Sequence, residues 1–373
     1  MNKKRSKLGP VTVIFILMIN LPNLAMILDL DPTPLFGKLA KQPPWPRTVG
    51  DIVHFPGRFR LYYTKNFGFR GSIVRLHGLI KQDIFGCSPS PRVLIGKDGW
   101  LFLRTEKAPE SSRGLEPFDK GEVDQWLNMI DRRLRFCQSL DIAYRFVVVP
   151  NKQTIYPEHL RSVMSASADV TRLDQLLKAA DSRSLGNVVL DLRSAMRRAK
   201  KETEFSLYYS TDTHWNNLGS YVGHIEVIKS IKRNGVNFAV APVSRLAVES
   251  TRALGGDLAR LSGLKLDSHD ELIAVRRPDW RQIEPEPDAF FFDSPKMARN
   301  RVFVCREGDV DNVILLHDSF GIALIPHLAH YFNRMRAIFT HEFSQALIQN
   351  ERPDVVIQVV AERRLHTLDP RKL

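Results

Sequence analysis

A serine hydroxyl becomes a useful nucleophile only when a base stands ready to take its proton, and this sequence offers such a pairing. The serine is Ser319, in Val313-Ile314-Leu315-Leu316-His317-Asp318-Ser319-Phe320-Gly321, where an apolar stretch gives way to a helical one. The base is His214, in Ser210-Thr211-Asp212-Thr213-His214-Trp215-Asn216-Asn217. Imidazole titrates in the range a general base needs. Asp212, two residues earlier, can fix the ring's tautomer and stabilise the imidazolium. The three side chains together would support acyl transfer through an acyl-serine. Each fragment also has a plainer reading: Asp318 or Ser319 as a helix cap, and Asp212–His214 as a solvated pair beside a capping Asn216 or Asn217.

The chemistry requires a scaffold that brings residues 212, 214 and 319 together. Ala143–Val149, interrupted only by Arg145, reads as a buried parallel strand, as do Val188–Leu190, Val313–Leu316, Ala337–Phe339 and Val355–Val360. Between them, helical spacing predicts helices over Gly121–Leu140, Val170–Ala180, Leu192–Ala199, Ile322–Phe332 and Ser344–Gln349. Strands alternating with helices imply an α/β fold, a mostly parallel sheet flanked by helices. Ligands in such sheets sit beyond the carboxyl ends of the strands. Asn151 and Lys152 follow one strand and Arg363 another, so all three are expected to line a substrate cleft, with Trp215 as an apolar wall. Arg363 suits a sugar carboxylate, or a bridge to Asp354. His224 is expected to be structural. No metal site is expected, because Asp212 and His214 lack further ligands at sensible spacing. Gly96-Lys97-Asp98-Gly99-Trp100 predicts a tight hairpin.

Several fragments, in this order, resemble the alginate O-acetyltransferase family (AlgJ/AlgX type). They are Asn66-Phe67-Gly68-Phe69-Arg70, Gly96–Phe102, Pro150-Asn151-Lys152 with Tyr156-Pro157, Asp212-Thr213-His214-Trp215, Gly256-Asp257-Leu258-Ala259, Asp318-Ser319-Phe320 and Glu362-Arg363. The resemblance implies an SGNH-hydrolase-like domain with Ser319 as nucleophile, His214 as base and Asp212 as its orienting acid. It also implies a polysaccharide acceptor, a membrane-bound O-acyltransferase partner delivering the acetyl group, and no cofactor. The family's usual glycine before the Asp-Ser pair is His317 here, and Gly321 stands where a serine is more usual.

Lys3, Lys4, Arg5 and Lys7 precede an uncharged run from Leu8 to Leu28. Twenty-one residues at 1.5 Å reach about 30 Å, a bilayer core. Basic residues before the run hold that end in the cytoplasm. The expectation is therefore a periplasmic protein anchored in the inner membrane, in preference to a cleaved signal peptide, since no good small-x-small site follows. Residues 1–28 form the tip and span, the Pro-rich 29–92 a connecting arm with short helical pieces, and 93–373 the catalytic domain.

A net charge of +13 favours a polyanionic partner, although scattered surface arginine explains it as well. The basic residues are not gathered with aromatics into a nucleic-acid module. Cys87, Cys137 and Cys305 form no CxxC motif. The leading function is O-acetylation of an extracytoplasmic polysaccharide. The alternatives are an acetyl esterase of the same fold, in which water accepts the acyl group, and a non-catalytic polysaccharide-binding subunit.

Overall fold

The computed structural model describes residues 9–32, 40–161, 170–231, 240–264, 267–276, 281–286 and 300–373. Lys3, Lys4, Arg5, Lys7, Leu8, Pro34 and Arg277 lie outside the described residues. The chain divides into two compact units, residues 1–90 with 260–264, and the rest.

In the first unit, helix α1 (Pro10–Leu28) is long and apolar enough to cross a membrane, with a mean hydropathy of 2.3. That is consistent with an anchor. Ala25 is its buried residue. Asn20 and Asn23 donate their amide groups to the carbonyls of Ile16 (2.8 Å) and Ile19 (3.3 Å), so neither leaves its donor exposed to an apolar surround. The segment expected to hold only short helical pieces contains α2 (Val49–Asn66) and α3 (Arg70–Leu79). A capping box between Thr48 and Asp51 starts α2.

The second unit opens with a hairpin, β1 (Val93–Ile95) and β2 (Leu101–Leu103). Its turn places Asp98 at φ 54° and Gly99 at φ 78°, the left-handed pair that an Asp-Gly turn supplies. Helix α4 (Lys120–Gln138) leads to β3 (Ala143–Val149). Then come α5 (Arg172–Ser182), β4 (Val189–Asp191), α6 (Arg193–Glu202) and α7 (Asn217–Ser230). A second hairpin, β5 (Ala247–Leu254) with β6 (His269–Arg276), stands apart from the main sheet. The remaining strands are β7 (Glu284–Glu286), β8 (Asn300–Val304), β9 (Val310–His317), β10 (Phe332–Phe339) and β11 (Val355–Ala361). Helix α8 (Gly321–Leu328) follows β9 and α9 (Gln345–Glu351) follows β10.

The main sheet has the order β4-β3-β11-β9-β10-β8-β7. The first five strands run parallel, and β8 and β7 add an antiparallel edge. Residues alternate between two cores, as period-two geometry requires. Val313 and Leu315 face the core shared with α6, α7 and α8, while Ile314 and Leu316 face the one shared with α4, α5 and α9. Two sequence expectations are corrected. The helix after Ser319 ends at Leu328, and Phe332 opens a strand because its buried ring joins the sheet core rather than a helix face. The two antiparallel edge strands and the outlying hairpin were not foreseen.

Candidate active site

Strands β3, β11 and β9 are adjacent, with Val149 level with Ala361 and Val359 level with His317. Their carboxyl ends therefore deliver Asn151 and Lys152, Glu362 and Arg363, and Asp318 and Ser319 to one rim. At the nucleophile turn, Asp318 does the tying. Its buried carboxylate accepts the Phe320 N–H (3.0 Å) and the Ala361 N–H (2.8 Å), fastening the turn to the end of β11. No side chain caps α8, so the Ser319 hydroxyl is not spent on the helix start. The Phe320 N–H bonds the Asp318 carboxylate and the Gly321 N–H bonds the Asp318 carbonyl (3.1 Å), so both are engaged within the turn.

His317 and Gly321 form a matched pair. A Cβ on residue 321 would lie 2.3 Å from His317 Cβ, so the larger residue at 317 requires the glycine at 321. The His317 ring is buried, contacts Phe339 edge-on, and hydrogen-bonds the Asp318 carbonyl through Nδ1 at 2.7 Å. Burial pushes its pKa below the usual histidine value. It therefore donates as a neutral ring at pH 7 and stiffens the turn.

The second half of the site lies between α6 and α7. His214 Nδ1 stands 2.7 Å from Asp212 Oδ1, which also accepts the His214 N–H (3.0 Å). Asp212 Oδ2 accepts the Asp257 N–H at 2.8 Å. Burial opposes the charge on Asp212, but the hydrogen bond and charge of His214 and the two backbone donors outweigh it and hold the carboxyl well below its usual range. A carboxylate beside Nδ1 puts the proton there and leaves Nε2 as the acceptor. Nε2 is buried and makes no hydrogen bond among the described residues. The His214 ring packs on Phe320 with centroids 5.0 Å apart. Trp215 donates its indole N–H to the Phe320 carbonyl at 3.1 Å. The base is thereby pinned to the residue that follows Ser319, while the last link, Nε2 to the serine hydroxyl, is not closed in this structure. Such bonds commonly tighten only when substrate is bound. Asn216 caps α7 through Leu218 and Gly219, so the capping reading and the Asp–His pairing are both realised.

The four side chains expected to line a cleft are all buried, which corrects that expectation. Lys152 donates to the carbonyls of Tyr209 (3.0 Å), Ser210 (3.0 Å) and Asp212 (2.6 Å), and so holds the loop that carries the base. Burial drags its pKa down to about 7, against the pull of Asp270, Asp212 and Asp257. Asn151 donates its N–H to Glu362 (2.9 Å) and its side-chain amide to Ser111 (3.2 Å). Arg363 pairs with Glu106 (2.8 Å), rather than with Asp354, and lies 5.4 Å from the Phe320 ring centroid. Trp215 is fixed beneath the turn. His224 is buried and stacks on His327.

Sequence reasoning gave no role to Asp257, Asp270 or Glu362. Asp257 accepts the Thr213 N–H (2.7 Å), and Asp270 accepts the Thr211 N–H (2.7 Å) and hydroxyl (2.6 Å), so two further carboxylates brace the loop. Gly256 is needed here, since a Cβ would come within 2.4 Å of Asp212 Cβ. Burial raises the Glu362 carboxyl above its ordinary pKa, and it receives the Thr154 hydroxyl at 2.6 Å. Gly256-Asp257 and Glu362-Arg363 were visible as family fragments, whereas Asp270 gave no signal. Ligand atoms of Asp212, His214 and Asp257 lie within 4.8 Å of one another, so Asp257 adds a third side chain to the pair that the sequence spacing offered. These carboxylates are engaged with Thr213 and with backbone N–H groups.

Residues 93–294, more than half the chain, match the model of the ALGX family, the SGNH hydrolase-like domain of acetyltransferase AlgX. Asp212 and His214 fall within that span and Ser319 lies beyond it. A curated relative, "Probable alginate O-acetylase AlgJ" of Pseudomonas aeruginosa, is 31% identical over 242 residues, 64% of this chain and 56% of the relative. The chain thus spans little more than half the length of that protein. Among solved structures, Bacillus cereus PatB1 with a sulfonyl adduct shares the fold, with a TM-score of 0.53 at 16% identity over 73% of this chain and 95% of that one. The O-acetyltransferase domain of Pseudomonas putida AlgJ gives 0.42 at 20% identity over 75% and 96%. This chain belongs to the AlgX family of SGNH hydrolase-like acetyltransferase domains.

Proposed function

We propose that the chain is a membrane-anchored serine O-acetyltransferase that acetylates an alginate-like or other extracytoplasmic polysaccharide. The observation that carries this reading is the Asp212–His214 pair, bonded at 2.7 Å and packed ring to ring against Phe320, the residue after Ser319. The family and its curated AlgJ relative support the acetyl group and the polysaccharide class.

In the first half-reaction, Ser319 Oγ attacks the carbonyl carbon of an acetyl donor while His214 Nε2 takes the hydroxyl proton. Asp212 stabilises the imidazolium. The tetrahedral adduct collapses, the leaving group receives the proton from His214, and acetyl-Ser319 remains. In the second half-reaction a sugar hydroxyl gives its proton to His214 and attacks the acyl carbon; the adduct collapses to the acetylated sugar, and Ser319 Oγ takes the proton back from His214. A half-buried base whose tautomer is already set avoids reorganisation at each proton transfer. The donor is carried by a membrane-bound O-acyltransferase, because activated acetyl groups are made on the cytoplasmic side. Helix α1 holds the enzyme at the periplasmic face of the inner membrane.

The test is product analysis. The full chain in detergent is given an acetyl ester with and without an oligouronate acceptor. Acetylated oligosaccharide, lost in Ser319→Ala, is the expected result. Acetate release alone would mean an esterase, and wild type indistinguishable from Ser319→Ala would leave a binding subunit.

A further inference from the structure

Helix α2 contains no buried residue, although half of its residues are apolar or aromatic. At 100° per residue, Val49, Ile52, Val53, Pro56, Phe59 and Tyr63 share one face, and His54, Arg58 and Lys65 share the opposite one. Val49 is 79% exposed, Ile52 62% and Val53 69%. Trp45, just ahead of the helix, is 78% exposed and stacks on Phe55 at 5.6 Å, which stacks on Phe59 at 5.8 Å. An apolar face with an aromatic row at one end and a basic face opposite is the composition of a helix that lies in a membrane interface.

The far end of α2 is fixed to α1. Tyr63 donates its hydroxyl to Asn23 Oδ1 at 2.7 Å, and the Gly68 N–H donates to the Pro22 carbonyl at 3.1 Å. The approach is close enough that a Cβ on residue 68 would lie 2.3 Å from that carbonyl oxygen. Pro22 and Asn23 precede Leu28, the last residue of α1, by six and five positions. That is about 8–9 Å along the helix axis, which matches the ~5–10 Å to which interfacial helices sink. Basic side chains outnumber Asp51 on α2, which suits anionic headgroups. Arg60 falls between Val49 and Val53 on the apolar face, and its long side chain can carry the guanidinium back to the headgroups.

We propose that α2, with Trp45, lies in the bilayer interface where α1 ends, its apolar face among the upper acyl chains and its basic face among headgroups. This rests on the reading of α1 as a membrane span. The occupant of the apolar face is lipid.

The test uses the full chain with Cys87→Ser, which removes the exposed thiol and leaves the buried Cys137 and Cys305. Nitroxide labels at Phe15→Cys, Val53→Cys and Arg58→Cys are read in phosphatidylcholine–phosphatidylglycerol vesicles for collision with oxygen and with an aqueous nickel chelate. The ratio of oxygen to nickel accessibility should be highest at 15 and several-fold higher at 53 than at 58. Lipid contact at 15 with equal ratios at 53 and 58 would overturn this inference alone. Shielding of 53 from both reagents would overturn it in favour of a protein partner or a second copy. Aqueous exposure of 15 would remove the span and this inference with it. Ile52→Cys repeats the reading if Val53→Cys folds poorly.

Discussion

Trp215 and Phe320 are 105 residues apart in sequence, yet the indole N–H of one donates to the carbonyl of the other at 3.1 Å, and their rings meet edge-on at 5.6 Å. Each stands beside a residue of the candidate site, Trp215 after His214 and Phe320 after Ser319. Together with the His214 ring packed on Phe320, this buried contact ties the base to the nucleophile turn.

Trp215→Phe keeps most of the ring volume and removes the donor. The Phe320 carbonyl would be left buried and unsatisfied, at a cost of about 1–3 kcal/mol. Chemical denaturation should report that loss. Steady-state kinetics should show kcat falling more than KM changes, because the base is displaced from the nucleophile rather than from the acceptor.

Gly321→Ala should cost about 1–3 kcal/mol by overpacking against His317. In a His317→Gly background the same change should cost far less, giving a coupling energy of about 0.5–3 kcal/mol in a double-mutant cycle. Additive effects would mean that the two positions do not compensate.

Lys152 supplies a test against pH. Burial lowers its pKa from 10.5 to about 7. Between those values the unfolded chain binds a proton that the folded chain does not, so stability rises with pH from 7 towards 10.5, at up to about 1.4 kcal/mol per pH unit. Below pH 7 the lysine is charged in both states and its slope vanishes. Lys152→Met should remove this rise, measured as the difference between the two proteins' denaturation midpoints across pH 7–10. It should also lower kcat, since the loop carbonyls at 209, 210 and 212 lose their shared donor.

The parts of the fold legible in the sequence were those governed by continuous apolar runs. Ala143–Val149 was read to the residue because both its faces are buried, and Asp98-Gly99 because its turn demands positive φ. The run from Ile322 to Phe332 misled, since apolar residues suit a helix face and a strand alike, and only sheet pairing places Phe332 in β10. The hairpin of β5 and β6 escaped notice because its strands are largely exposed and rich in charge. In the site, Asp212, His214 and Ser319 were legible as residue types that do chemistry. Lys152, Asn151 and Arg363 were placed at the correct rim but on the wrong side of its surface, because sequence does not distinguish a cation that meets substrate from one that satisfies buried carbonyls. Asp257 and Asp270 come from distant segments, and only folding reveals that they brace the loop of His214.

The most direct test is to incubate the full chain with a chromogenic acetyl ester, quench it, and map any acetyl adduct by mass spectrometry of peptides. The account predicts an acetyl group on Ser319 in the wild type and none in Ser319→Ala. In His214→Ala it should form at least about 100-fold more slowly, the loss expected when general-base assistance is removed. An adduct on another residue, or equal labelling of wild type and His214→Ala, would contradict it.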